Sequence, residues 1–92
     1  MRERIIMLVI LNIYTHLGEL DNVVERLMEL DEVLDLYEVT GDYDIVAVIE
    51  VDSIEEFRSK VLRKLMDLKG VRGTNSFVVL HTHKRGGRIS EE

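Results

Sequence analysis

The sequence contains no cysteine, no proline and no tryptophan, and it has fewer basic than acidic residues. Without cysteine, a disulfide scaffold, a thiol nucleophile and a cysteine-ligated zinc site are all excluded. The chain has 12 Lys and Arg against 18 Asp and Glu, a net charge of −6. This balance disfavours a free-standing nucleic-acid binder, because affinity for phosphate comes mainly from basic side chains. The 92 residues are enough for one domain with a two-layer core.

Long hydrophobic segments, a secretory signal and catalytic motifs are also absent. The apolar run at residues 5–11 is too short to span a bilayer, and no small-residue cleavage site follows it. We therefore expect a soluble cytoplasmic protein. No nucleophile–base motif or phosphate-binding loop can be identified. The sequence accordingly predicts neither an enzyme nor a bound cofactor.

Charge is unevenly distributed along the chain. Residues 19–56 contain 14 acidic side chains and a single basic one, Arg26, whereas residues 57–72 contain six basic side chains and a single acidic one, Asp67. This pattern is typical of solvated faces of opposite sign. It is also compatible with patches of opposite sign that meet between subunits, which would favour self-association.

Hydropathy patterns predict four strands and two helices in the order β-α-β-β-α-β. Residues 5–14 are apolar on both alternating faces, which indicates a strand covered on both sides. Apolar residues then recur at helical spacing over residues 20–30. Residues 33–39 and 43–51 predict a β-hairpin around Thr40-Gly41-Asp42, in which Gly41 is free to take a positive φ.

The second half of the chain repeats the helix and the strand. Ser53 and Glu56 have the spacing of a capping box, so the second helix is expected to begin there. We expect Gly70 to be the C′ residue of that helix. Residues 71–81 predict the last strand, which closes a domain of residues 1–81. Residues 82–92 are polar with two glycines, and we expect a flexible C-terminal tail.

The element order predicts an α+β fold of the ferredoxin-like, split βαβ type. Two right-handed crossovers place both helices on one face of a four-stranded antiparallel sheet. The other sheet face should be polar if water covers it, but the first and third strands are apolar on both sides. A contiguous exposed apolar face marks a binding surface. We therefore predict that an identical sheet covers it, in an obligate homodimer.

The hairpin loop is the most informative candidate site. Successive backbone N–H groups in such a turn can form an anion-binding nest, and Asp42 and Asp44 add carboxylates. One site could thus receive both charged groups of an amino acid, although a plain turn with solvent-facing aspartates explains the same residues. Thr74 and Ser76 share one strand face, where their hydroxyls could bind a ligand, a neighbouring strand or water.

The histidines and the basic tail suggest less. His81 and His83 could share a face, but two imidazoles make an incomplete metal site, and His16 is distant in sequence. We interpret them as exposed histidines and predict no metal. The basic residues of the tail are Lys84, Arg85 and Arg88. They could contact phosphate or an acidic partner, but three charges attract weakly, so we interpret the tail as solubilising.

Two segments resemble one known family. Residues 33–44, VLDLYEVTGDYD, and residues 70–80, GVRGTNSFVVL, look like the signature and last strand of the ligand-sensing (RAM) domain of the Lrp/AsnC family. The resemblance covers residues 5–81. It implies that the protomer dimerises sheet to sheet into an α/β barrel, that dimers can assemble further, and that amino acids or related small effectors bind at clefts between subunits. Carried over by position, the effector-binding residues would be Thr40, Gly41, Asp42, Tyr43, Asp44, Thr74 and Ser76.

One departure from the family changes the functional expectation. Typical members carry an N-terminal helix-turn-helix domain, but here the first strand begins within a few residues of Met1. The chain thus resembles a stand-alone sensing module of transcription regulation, without direct DNA binding, that modulates its own assembly or that of full-length regulators. A ligand-free partner that hetero-oligomerises with a helix-turn-helix relative is the alternative. Dimeric α/β barrels also include enzymes that use histidine, a role for which only the three histidines are candidates.

Overall fold

The computed structural model describes residues 6–90. Four long strands and two helices follow the predicted order, and a short hairpin ends the described part of the chain. The elements are β1 (Met7–Thr15), α1 (Leu20–Met28), β2 (Val33–Glu38), β3 (Ile45–Val51), α2 (residues 54–66), β4 (Val71–Val78), β5 (Lys84–Arg85) and β6 (Arg88–Ile89). The predicted start of the first strand at Ile5 lies outside the described residues.

The four long strands form one antiparallel sheet in the order β2-β3-β1-β4. This arrangement confirms the predicted α+β, ferredoxin-like fold. The last strand is shorter than predicted and ends at Val78 rather than His81. The N–H of Val79 still donates to the carbonyl of Leu8 over 2.9 Å, but residues 79–83 belong to no strand.

One face of the sheet packs against the two helices. The buried core there comes from alternate residues of β1 and β3 and from the inner faces of α1 and α2. Its residues are Val9, Leu11, Ile13, Val23, Leu27, Ile45, Ala47, Ile49, Val51, Phe57, Val61 and Leu65. Burial of these side chains is the main favourable term for folding, and it fixes which strand residues point away from the helices.

The opposite sheet face, which we call the open face, has no helix on it. Ile10, Val46 and Val48 are paired on this face and are half-buried by their neighbours. Tyr37 and Phe77 on the two edge strands are 53% and 54% exposed. As the sequence predicts, the first and third strands are therefore apolar on both sides.

The second helix begins as predicted and then changes its winding. The Glu56 N–H donates to Ser53 Oγ over 3.1 Å, and Glu56 Oε1 accepts from the Asp52 N–H over 2.7 Å. One half of the predicted capping box is therefore present, whereas the carboxylate of Glu56 bonds to Asp52, the residue before the cap, instead of to Ser53. After Ile54–Glu56 the helix is π-helical over Phe57–Leu62 and α-helical over Arg63–Met66.

Gly70 is not the C′ residue of this helix. The helix is capped by Asp67, so Gly70 falls later, in the turn before β4. Its φ is +128°, and a Cβ at this position would lie 2.7 Å from the Cβ of Glu19. The carbonyl of Gly70 accepts the His16 N–H over 2.8 Å. The glycine thus allows the turn before β4 to touch the beginning of α1.

The segment predicted as a tail contains a tight hairpin. Lys84 pairs with Ile89 and Arg85 with Arg88, around Gly86 and Gly87, whose φ angles are +58° and +80°. Two successive positive φ angles are typical of the hairpin turns that suit strand twist. The domain boundary at residue 81 and the flexibility of residues 82–92 stay predictions.

Candidate functional site

The hairpin loop between β2 and β3 is fixed to the end of β1 through Asp44. Asp44 Oδ2 accepts the Thr15 N–H over 2.7 Å and lies 3.2 Å from Thr15 Oγ1. In addition, the Asp44 N–H donates to the carbonyl of Ile13 over 3.0 Å, and Gly41 has the predicted positive φ, +106°. Asp44 therefore anchors the loop, and one of its carboxylate oxygens is already occupied.

Next to this anchor, four side chains form what we call the tyrosine cluster. The rings of Tyr14 and Tyr43 lie 4.6 Å apart between centroids. The Arg72 guanidinium carbon lies 4.8 Å from the centroid of the Tyr14 ring, within the range of a cation–π contact. The Asn75 amide donates to the Tyr43 hydroxyl over 3.1 Å. The cluster joins β1, the hairpin loop and β4 at one end of the open face.

The electrostatics of the cluster are set by the charges around Tyr14. Hydrogen bonding to the Tyr43 side chain, followed by burial and by the nearby charge of Asp42, raises the pKa of Tyr14 above its ordinary value, whereas Arg72 lowers it. A carboxylate and a guanidinium thus act on the same phenol from the surrounding surface. This combination of charges suits a ligand that carries both an ammonium and a carboxylate group.

Three of the predicted residues, Thr40, Gly41 and Asp42, are exposed in the single chain. Nothing within 4 Å would meet a Cβ added to Gly41, so the loop tip is open to solvent. A ligand held by this loop would be enclosed only if another surface covered it.

Thr74 and Ser76 lie on the other face of the sheet. They are paired with Ile13 and Leu11, whose side chains are buried beneath the helices. Asn75, by contrast, is paired with Asn12 and contacts Tyr43 on the open face. The structure confirms that the two hydroxyl residues share a face, but it does not bring them together with Tyr43. Their role in effector binding stays a prediction.

Three members of the tyrosine cluster, namely Tyr14, Arg72 and Asn75, are not among the residues predicted from the sequence. The available signal is strand parity: Asn75 lies between Thr74 and Ser76 and must therefore point to the opposite face. The partner of Asn75 depends on the pairing of β4 with β1, which joins residues more than 60 positions apart, such as Asn12 and Asn75. Hydropathy does not reveal that register.

The remaining candidates do not join this site. His81 and His83 stack edge to face, with centroids 4.5 Å apart, beyond the end of β4. Within residues 6–90, no three His, Cys, Asp or Glu side chains are arranged to hold a metal ion. Over the same range, no helix is both long and apolar enough to cross a bilayer.

Comparisons with known proteins relate the chain to one family. Residues 8–89 match the family model of the Lrp/AsnC ligand binding domain. Among curated proteins, the chain is 37% identical over 78 residues to the HTH-type transcriptional regulator FL11 of Pyrococcus abyssi. That match covers 85% of this chain and 51% of the regulator. The chain thus spans about half the length of the curated relatives it matches, which are transcriptional regulators rather than enzymes.

Solved structures show the same fold. TTHA0845 from Thermus thermophilus is 26% identical, with a TM-score of 0.79, over 86% of this chain and 99% of that chain. The transcriptional regulator NMB0573 of Neisseria meningitidis, solved as a complex with L-Met, is 20% identical, with a TM-score of 0.78. That match covers 86% of this chain and 53% of the regulator.

Proposed function

Because the chain belongs to the Lrp/AsnC ligand-binding domain family of transcription regulators, we propose that it senses an amino acid at the hairpin loop. Binding at the loop alters the assembly of subunits through the open face. The observation that carries the proposal is the contact of Arg72 with Tyr14, whose ring packs on Tyr43 of the loop that also carries the exposed Asp42.

The two charges have separate roles in this proposal. Asp44 is engaged by Thr15, so Asp42 is the carboxylate available for the ligand ammonium group. Arg72 receives the ligand carboxylate, because a guanidinium binds a carboxylate through two parallel hydrogen bonds. The exposed loop residues Thr40 and Gly41 contribute backbone groups. Methionine in the neisserial regulator supports an amino acid as the ligand class.

Assembly is required because the site is open in the single chain. A second sheet packed on the open face would cover Tyr37 and Phe77 and form the wall that the loop lacks. A ligand held between subunits binds only the assembled state, and it stabilises assembly by mass action. In this way the concentration of the amino acid sets the oligomeric state.

The biological output of this assembly is transcriptional. The similarity to FL11 extends over most of this chain, so a helix-turn-helix regulator of this family offers an equivalent sheet for mixed assembly in the cytoplasm. TTHA0845, which the chain covers almost completely, supports function as a stand-alone module. Co-purification of this chain with such a regulator, with and without amino acid, tests this mixed assembly. If amino acid controls it, the amount of regulator recovered changes when the amino acid is added; if it does not, the amount stays the same.

Assembly is tested with one exposed apolar residue on the open face. Phe77→Asp should convert the dimer into a monomer in multi-angle light scattering, because a charge would be buried against the second sheet. Leu17→Asp is the matched control, since Leu17 is fully exposed in the loop before α1. A wild-type monomer at micromolar concentration contradicts the assembly, as does a Phe77→Asp dimer.

Binding is tested by calorimetry with the common amino acids, beginning with methionine. Asp42→Asn and Arg72→Gln should each weaken binding by about tenfold or more, because each removes one charge-assisted contact. Asp21→Asn and Arg63→Gln make the same charge changes on the exposed surfaces of the two helices. The proposal fails if no amino acid binds, or if the two loop variants bind as well as their controls.

A further inference from the structure

The hairpin of β5 and β6, residues 84–89, is a positively charged element in a protein with a net charge of −6. We call it the basic hairpin. Lys84, Arg85 and Arg88 are all exposed, and within residues 6–90 none of them forms an ion pair. Ile89 is 78% exposed beside them. The hairpin thus presents three exposed positive charges together with an exposed apolar side chain.

The basic hairpin lies along the border of the open face. Arg85 lines a pocket of about 310 Å³ together with Ile6, Leu8 and Val79. Leu8 belongs to the same side of β1 as Ile10, and Val79 is bonded to it through the backbone. The hairpin therefore stands where the edge of a second sheet would pass if the open face were covered.

The opposite edge of the sheet is acidic at the same end. Backbone contacts connect the two edges across this end of the sheet. The Val79 N–H donates to the carbonyl of Leu8, and Leu8 is paired with Glu50. The Glu50 N–H in turn donates to the carbonyl of Glu32 over 2.8 Å. Glu32 and Glu50 line a groove of about 440 Å³ with Asp31 and Leu34, and Asp35 is exposed on the neighbouring part of β2. We call Asp31, Glu32, Asp35 and Glu50 the acidic edge.

The positions of the basic hairpin and the acidic edge favour one of two ways in which identical sheets can pack face to face. When sheets pack with their strands aligned, the two-fold axis runs either along the strands or across them. An axis along the strands places the β4 edge of one subunit on the β2 edge of the other, at the same end. An axis across them places the basic hairpin over the other end of the partner's β4, where this chain carries Lys69 and Arg72.

We propose that the basic hairpin docks on the acidic edge of a second copy of this chain, with the two-fold axis along the strands. This inference rests on the proposed assembly through the open face and adds its register. Opposite charges then meet twice per dimer, whereas the other axis would bring like charges together. Complementary charges at an interface suppress the wrong arrangement and set the register of the right one.

Cross-linking tests the register directly, because the chain has no cysteine of its own. We would prepare Arg88→Cys, Asp35→Cys and Arg72→Cys and mix them in pairs with a short bis-maleimide. The proposal expects cross-linked dimers from the 88 and 35 mixture. It is overturned if that mixture gives none in a preparation that is dimeric by light scattering, or if Arg88→Cys links mainly to itself or to position 72.

Charge exchange provides an independent measurement. The Arg85→Glu/Arg88→Glu variant should dissociate about tenfold more readily at low salt, and Glu32→Lys/Asp35→Lys mixed with it should restore most of the affinity. Arg63→Glu/Lys64→Glu, on α2, controls for the change in net charge. A hairpin variant that dimerises like this control overturns the docking and leaves the assembly itself standing. A monomeric wild-type protein refutes the assembly instead.

Discussion

The carboxylate of Asp44 accepts the backbone N–H of Thr15 over 2.7 Å. This bond connects the end of the β2–β3 hairpin with the end of β1, two segments 29 residues apart. It fixes the loop on which the candidate effector site is built. The two aspartates of the loop therefore differ in role: Asp44 holds the loop in place, whereas Asp42 is exposed and available to a ligand.

This division predicts different effects for the two aspartates on stability. Asp44→Asn should lower the free energy of unfolding by about 1–2 kcal/mol, because a charge-assisted hydrogen bond to a backbone donor is weakened. Asp42→Asn should change it by less than about 0.5 kcal/mol, because Asp42 is exposed. Urea denaturation of both variants measures the difference, and equal losses would show that Asp44 does not anchor the loop.

Alkaline titration tests the tyrosine cluster. The pKa of Tyr14 is raised, chiefly by Tyr43, so Tyr43→Phe should bring the pKa of Tyr14 back toward the ordinary tyrosine value of about 10. In a Tyr37→Phe background, the ultraviolet absorbance of the phenolates follows Tyr14 together with Tyr43, and with Tyr43→Phe added it follows Tyr14 alone. A Tyr14 pKa that stays unchanged in Tyr43→Phe would contradict the hydrogen-bonded pair.

The same raised pKa gives the stability of the protein a pH dependence. The folded state holds the Tyr14 proton more tightly than the unfolded chain does, so the contribution is fully present below about pH 10. It is lost as the pH rises through the folded-state value. Stability measured by denaturation should therefore fall more steeply at alkaline pH in the wild type than in Tyr14→Phe. Parallel curves would contradict it.

Two glycines of the β4 region should tolerate alanine very differently. Gly70→Ala should cost more than about 1 kcal/mol, because Gly70 has a φ of +128° and a Cβ would collide with Glu19. In Gly73→Ala, the Cβ would lie 3.6 Å from the Tyr14 ring, an ordinary contact, so the cost should be small. Thermal unfolding of the pair measures the difference, and equal melting temperatures would rule out strain at Gly70.

The beginning of α2 offers a matched pair of serines. Ser53→Ala should destabilise the protein by about 1 kcal/mol, because it leaves the Glu56 N–H without its cap. Ser59→Ala removes a weaker contact, with Ser59 Oγ at 3.5 Å from the Glu56 carbonyl on an exposed surface. Its effect should fall within about 0.5 kcal/mol. Chemical denaturation of the two variants tests the cap, and the expectation fails if Ser59→Ala is the more damaging change.

Local signals in the sequence predicted much of the fold. Gly41 marks the hairpin, the Ser53–Glu56 pair marks the beginning of α2, and alternating apolar residues mark the strands. Each of these signals depends on residues close together in the chain, where sterics and hydrogen bonding act without tertiary context. The same holds for the apolar face of α1, from which Val23 and Leu27 are buried as expected.

Other features depend on which surfaces meet. Helical spacing places Met28 and Met66 on apolar helix faces, but they are 64% and 67% exposed, because the sheet covers only part of each stripe. The π-helical winding of Phe57–Leu62 changes hydrogen bonding with little change in hydrophobic spacing. The tyrosine cluster requires the register of β1 with β4. Long-range pairing of this kind cannot be deduced from one chain's pattern.

The sheet order has a consequence for how the chain is made. Each pair of neighbouring strands joins one strand from the first β-α-β unit, β1 or β2, with one from the second, β3 or β4. Neither unit can therefore form a sheet by itself. During synthesis on the ribosome, β1 can pair only after β3 has emerged, and its other edge is paired only after β4 has emerged. The native sheet is therefore completed only after Val78 has left the exit tunnel. Until β3 has emerged, β1 has no strand to pair with, and unpaired apolar strands of this kind are prone to aggregation.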